Sequence, residues 1–147
     1  VLVRFRVHNA SVTSTTQDVM TQQTEKILAR SLERIGIEPT SEEIKFHHVI
    51  GRGRRLYSRD DIERAEKWLS MICDRNREVG VHDTEALGKA IGMIWFRVCS
   101  NSTPMGAWIW KKYRRSLFSD GYTQPLSEVM RFWVSMIWHT VRKMVFI

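Results

Sequence analysis

The chain has 147 residues, 43% hydrophobic and 27% charged, which is enough to bury one core and too little for a second. Lys and Arg outnumber Asp and Glu by 23 to 16, a formal charge of +7 that sets like chains against one another unless a polyanion such as nucleic acid offsets it. Two cysteines exclude a disulfide framework, and no Cys/His pairs stand at zinc-ligand spacing.

Residues 1–7 alternate apolar and basic side chains and read as an extended edge segment, unlike a signal peptide. Residues 8–24 are dense in Thr, Ser and Gln, a composition that buries little and stays mobile until a partner fixes it. The expected organisation is an extended or flexible arm over 1–23 and a helical core over 24–147. A helix is predicted from Thr24, with Ile27, Leu28, Leu32 and Ile35 on one stripe, Gly36 in a left-handed cap and Pro39 beyond it.

Residues 39–57 read as a connector, with Glu42-Glu43 as a solvated turn, His47 and His48 lacking any partner set for a metal, and the basic run Gly51-Arg-Gly-Arg-Arg55. Ser58-Arg-Asp-Asp61 has the form of a capped helix start. The helix it opens carries Ile62, Ala65, Leu69, Ile72 and Cys73 at core spacing, with Trp68 on the flank, and stops before Gly80. Asp83 opens the next, with the stripe Leu87, Ile91, Ile94, Trp95 and Val98, and the polar turn Ser100-Asn-Ser-Thr-Pro104 closes it. Cys73 and Cys99 fall on these stripes as small core hydrophobes, which implies a reduced, intracellular setting.

Between Met105 and Phe118 the period fails: Trp108 and Trp110 alternate as in a strand, whereas Lys111-Lys-Tyr-Arg-Arg115 follows no repeat. Irregular chain or a short helix is expected there. Asp120-Gly121 marks a turn, and Pro125 suits a first helical position. Met130, Trp133, Ile137, Trp138, Val141 and Met144 then form the cleanest amphipathic pattern in the chain, read as a core helix. Arg131, His139, Arg142 and Lys143 make it too polar for a membrane span. The fold class is therefore all-α: a compact core of four to five helices with an extended N-terminal arm. A start without Met and an end on Met-Val-Phe-Ile suggest a piece of a longer chain.

Catalytic signatures are lacking. Gly51-Arg-Gly53 has neither the spacing nor the lysine of a phosphate loop, no serine sits in a nucleophile elbow, and Asp60-Asp61 is explained by the helix start. No catalytic residue, metal or cofactor is expected. A nucleic-acid reading finds three clusters. Lys111, Lys112, Arg114 and Arg115 bracket Tyr113 and follow Trp108 and Trp110, cations for phosphates beside rings for bases. Arg52, Arg54 and Arg55 are spaced by glycines that let a backbone approach closely, and Arg131, Arg142 and Lys143 lie on the last helix. The plainer alternative puts Trp108, Trp110, Trp133 and Trp138 in the core and the cations on a solvated face, and for the last helix it is the better reading. No helix-turn-helix, zinc-finger or basic-zipper pattern points to sequence-specific DNA.

Glu66-Lys-Trp68, Gly80-Val81, Met93-Ile-Trp-Phe96 and Asn101-Ser-Thr-Pro104, in that order, resemble the core of coat proteins from flexible filamentous plant RNA viruses of the potyvirus type. Leu126-Ser-Glu-Val-Met-Arg-Phe-Trp133, continuing through Ile137-Trp138, is similar to the equivalent helix of the potexvirus type, so that the resemblance spans Tyr57 to Lys143. It implies a non-enzymatic helical core that binds genomic single-stranded RNA, arms that hook onto neighbouring copies, and a place in the virion and the host cytoplasm, without membrane association. Ser102 and Thr103 would approach the RNA. The family's arginine early in the later helix is replaced by Ser127, with Arg131 one turn further on. The RNA contacts expected overall are Arg52, Arg54, Arg55, Arg97, Ser102, Thr103, Lys111, Lys112, Arg114, Arg115, Ser127 and Arg131. The alternative function is a basic structural protein of a ribosome or other large ribonucleoprotein particle.

Overall fold

The computed structural model describes residues 12–145, with side chains from Val19 to Arg142. The fold is all-α, and the described residues form six α-helices where four to five were expected: α1 (Val12–Arg34), α2 (Ser41–Gly51), α3 (Arg59–Val79), α4 (Thr84–Asn101), α5 (Ala107–Arg115) and α6 (Leu126–Val145). A single 3-10 turn, Thr103–Met105, joins α4 to α5. Among the described residues there is no strand. The expected edge segment 1–7 lies outside them, as do residues 8–11 of the expected arm.

Helix ends follow the capping chemistry. Gly36 ends α1 at φ +77, and Ile37 donates back to the Leu32 carbonyl. Ser58 accepts from the Asp61 amide at the start of α3, Gly80 closes that helix at φ +70, and Asp83 accepts from the Ala86 amide to open α4. Two boundaries differ from expectation. α1 begins at Val12, twelve residues before Thr24, and the stretch ahead of Thr24 keeps Val19 and Met20 exposed. The connector 39–57 contains α2, opened by a reciprocal box in which Thr40 accepts from the Glu43 amide and Glu43 accepts from the Thr40 N–H at 2.8 Å. Those hydrogen bonds hold the Glu43 carboxyl below its usual range, so Glu43 is a capping group and not a solvated turn residue.

The core is built where α3 packs on α4, α4 on α5, and α6 on the 3-10 turn and α5, with the α1–α2 pair completing one side. Ile62, Ala65, Leu69 and Ile72 of α3 meet Ile91, Trp95, Val98 and Cys99 of α4, as their spacing requires. Phe96, Tyr113, Trp110 and Phe132 form an aromatic knot that fastens α6: Phe132 lies 5.9 Å from Phe96 and 5.2 Å from Trp110, both nearly edge-on. Ile27, expected on the buried stripe of α1, is exposed; Leu32, Ile35 and Ile37 are the anchors of that segment. α6 departs most from expectation. Phe132 and Met136 point inward, while Met130, Trp133, Val134, Ile137, Trp138 and Val141 face solvent.

Trp68 is buried, and its indole N–H donates to Nδ1 of His47 at 3.0 Å, tying α3 to α2. Burial, and second the neighbouring His48, push the His47 pKa below 6.5, which keeps the imidazole in the neutral form that the indole needs as acceptor. Because the folded value is the lower one, the unfolded chain takes up the proton first. The contribution of His47 to stability is therefore present above pH 6.5 and is lost as the pH falls from there through its lower folded value. Thermal unfolding followed across roughly pH 7.5 to 5.5 is expected to show this loss, and His47→Gln, which keeps an acceptor but does not titrate, is expected to flatten it.

Candidate nucleic-acid interface

Three contacts fix the loop between α2 and α3 against the end of α4. Gly53 adopts φ +61, and a Cβ placed there would lie 2.6 Å from Cβ of Arg97, so only glycine brings this backbone so close to α4. Its carbonyl accepts from Nδ2 of Asn101 at 2.7 Å. Three residues on, the buried Leu56 amide donates to Oγ of Ser102 at 3.1 Å. Gly51, by contrast, has open space around it, so the close approach expected of these glycines belongs to Gly53 alone. On the other side of the same turn, the hydroxyls of Thr103 and Ser135 lie 2.8 Å apart and join it to α6.

Ser102 and Thr103 are accordingly buried, 0% and 3% exposed, with their hydroxyls engaged inside the protein. They hold the frame together, and each also lines a cleft, Thr103 the one beside α6 and Ser102 the one beside Tyr57. Two arginine-lined clefts border this turn. Arg97 and Arg131 line one of about 430 Å³ with Ser100, Asn101, Thr103 and Ser135, and among the described residues Glu128 is the only carboxylate on its walls. A second hollow of about 420 Å³ is lined by Arg55, Tyr57, Arg59, Ser102 and Met105. The Arg55 guanidinium sits 4.9 Å from the centroid of the Tyr57 ring, and that of Arg59 sits 5.0 Å from the Trp108 ring. Arg52, Arg54, Arg55, Arg59, Arg97 and Arg131 are all exposed, and none forms an ion pair with a carboxylate among the described residues.

The α5 cluster is split by helical periodicity: Lys111, Arg114 and Arg115 stand at i, i+3 and i+4 on one exposed face, whereas Lys112 and Tyr113 turn toward the rest of the protein. Lys112 points to α3 and pairs with Glu66 at 2.6 Å, both side chains being 25% exposed. Tyr113, expected to offer a ring to a base, is buried, accepts from Gln124 at its hydroxyl, and is pushed up to about 12 by burial. Arg114 lies over Trp110, and Lys111 and Arg115 are exposed. Lys112→Ala is therefore expected to leave RNA affinity unchanged while costing about 1–2 kcal/mol of stability by stranding Glu66. Filter binding and denaturant unfolding of the same preparation separate the two effects.

Ser127 is exposed in the first turn of α6, one turn before Arg131; Arg142 is exposed near the end of α6, and the Lys143 side chain lies outside the described ones. Tyr57, Arg59 and Asn101 also line these clefts, although sequence reasoning did not single them out as contacts. The Arg55-Leu-Tyr-Ser-Arg59 alternation of cations around a ring was the available signal. Another hollow, of about 440 Å³ between α2 and α3, is lined by Glu43, Asp60 and Glu63 against Arg64 and Lys67, a balance of charge that does not suit a polyanion.

Cys99 is buried, which raises its thiol well above the ordinary range, and burial also raises the partly buried Cys73, so neither is an activated nucleophile. No group of three His, Cys, Asp or Glu among the described residues is placed to hold a metal ion. No described helix is long and apolar enough to cross a membrane. The described residues form an all-α fold with two arginine-lined clefts, one of them beside the Tyr57 ring. The chain matches no family model, no curated protein and no solved structure.

Proposed function

We propose that the protein is a structural, non-catalytic RNA-binding subunit, many copies of which package single-stranded RNA as a helical nucleocapsid or virion in the host cytoplasm. The observation that carries this reading is the pair of clefts lined by Arg97 and Arg131 and by Arg55 and Arg59, which we read with the exposed Arg52 and Arg54 as one arginine band in which guanidiniums lie beside rings. Guanidiniums bind phosphates at fixed geometry, and adjacent rings offer sequence-tolerant stacking, the combination that a coat protein needs to accept any stretch of its strand. The outward apolar face of α6 supports the second half of the reading, since repeated packing against neighbouring copies would cover it. The helical segment of α1 before Thr24, with Val19 and Met20 exposed, is the counterpart expected to reach a neighbour.

Filter binding of single-stranded RNA across a salt series tests the proposal. The log of affinity should fall with the log of salt concentration by about 0.7 per phosphate contacted, so six arginines each holding one phosphate predict a slope of roughly −4. Replacing Arg97 and Arg131 by alanine should reduce that slope by about 1.4, whereas the same change at Lys111 and Arg115 should alter it less. Electron micrographs of the RNA complex should show filaments or rings. Undetectable or salt-independent binding would overturn the reading.

A further inference from the structure

Tyr57 is 80% exposed, although the backbone on either side of it is fixed: Leu56 is buried with its amide bound to Ser102, and Ser58 is the N-cap of α3. The ring is therefore held in place but not packed away. The Arg55 guanidinium lies 4.9 Å from its centroid, and most of the residue is open to solvent among the described residues. Arg59, exposed and lying over Trp108, lines the same hollow. A surface ring contributes little to folding, and this one sits at the edge of the arginine band with a cation to each side in sequence.

We infer that Tyr57 is a stacking platform for one nucleobase of the bound strand, with Arg55 and Arg59 holding the phosphates that flank that nucleotide. The inference rests on the single-stranded RNA reading and deepens it, assigning one side chain and one kind of contact. Stacking uses the face of the base and not its hydrogen-bonding edge, so the platform accepts every base. Arg55, already lying on the ring, pre-orients it and adds its charge where the strand turns past.

The test compares two oligomers of about twelve nucleotides, one of oligoadenylate and one an abasic ribose-phosphate chain of equal length and charge. The wild-type protein should bind the base-bearing oligomer more tightly. Tyr57→Leu should weaken that binding roughly tenfold and leave abasic binding unchanged, while Tyr57→Phe should behave as wild type. An oligoadenylate carrying 2-aminopurine should be quenched by wild type and by Tyr57→Phe but not by Tyr57→Leu. Unchanged melting temperatures establish that both variants fold, as the exposure of the ring predicts. If Tyr57→Leu binds oligoadenylate as the wild type does, the platform is refuted and the RNA reading stands; if the wild type binds neither oligomer, the RNA reading itself fails.

Discussion

Replacing Ile137 and Trp138 together by aspartate is expected to leave the protein folded as a monomer and to raise the concentration at which it assembles by more than a hundredfold. Both side chains face solvent, Trp138 at 65% exposure, within an apolar strip that runs from Leu126 through Met130, Trp133 and Val134 to Val141. Burying a large apolar side chain contributes about 1.5–3 kcal/mol, and a repeated contact loses both contributions in every copy. The folded core is untouched because α6 is anchored by its other side, through Phe132 and Met136. Sedimentation velocity on the RNA-free and RNA-bound protein, with negative-stain micrographs, measures the effect. Assembly of the double variant at wild-type concentrations would mean that copies meet through some other surface.

Phe132→Ala is expected to produce the opposite pattern, a loss of folding with no direct effect on any exposed contact. Phe132 is 1% exposed and stands among the rings of Phe96, Trp110 and Tyr113, so truncation removes the piece that joins α6 to α4 and α5. A buried phenylalanine cut back to alanine costs about 3–5 kcal/mol, a large share of the roughly 5–15 kcal/mol that holds a typical domain together. Urea unfolding followed by tryptophan fluorescence should show the midpoint fall steeply. Phe132→Leu, which refills most of the space, should recover much of the difference.

These two substitutions also mark where the chain could and could not be read in advance. Caps were legible because their chemistry is local: Gly36, Ser58, Gly80 and Asp83 each act within four residues. The core faces of α3 and α4 were legible because each of those helices has one apolar side. α6 has two, and periodicity reveals that a side is apolar without saying whether the rest of the protein or a neighbour covers it. α2 was passed over although Thr40-Ser-Glu-Glu43 is a capping box, since the helix that follows is short and carries His47 and His48 where an apolar stripe would be sought. α5 was hidden by Trp108 and Trp110, whose alternation mimics a strand while Ile109 and Tyr113, four apart, make its buried side. For the candidate site, a run of cations on one helix was legible as far as Lys111, Arg114 and Arg115, which share an exposed face, but not for Lys112, which a carboxylate of α3 turns inward. That Arg97 and Arg131 line one cleft depends on contacts between segments that only the folded chain creates.

The approach of Gly53 to Arg97 has a bearing on how the basic band would tolerate change. Its layout is written into main-chain torsion and not into adjustable side chains. Exchanging one arginine for lysine alters a single donor group and leaves the spacing of its neighbours intact. A methyl group at position 53 would instead lift the whole loop from α4, loosening the Asn101 and Ser102 tethers and displacing three guanidiniums at once. The residue with no side chain is thus the keystone of a surface defined by its longest ones.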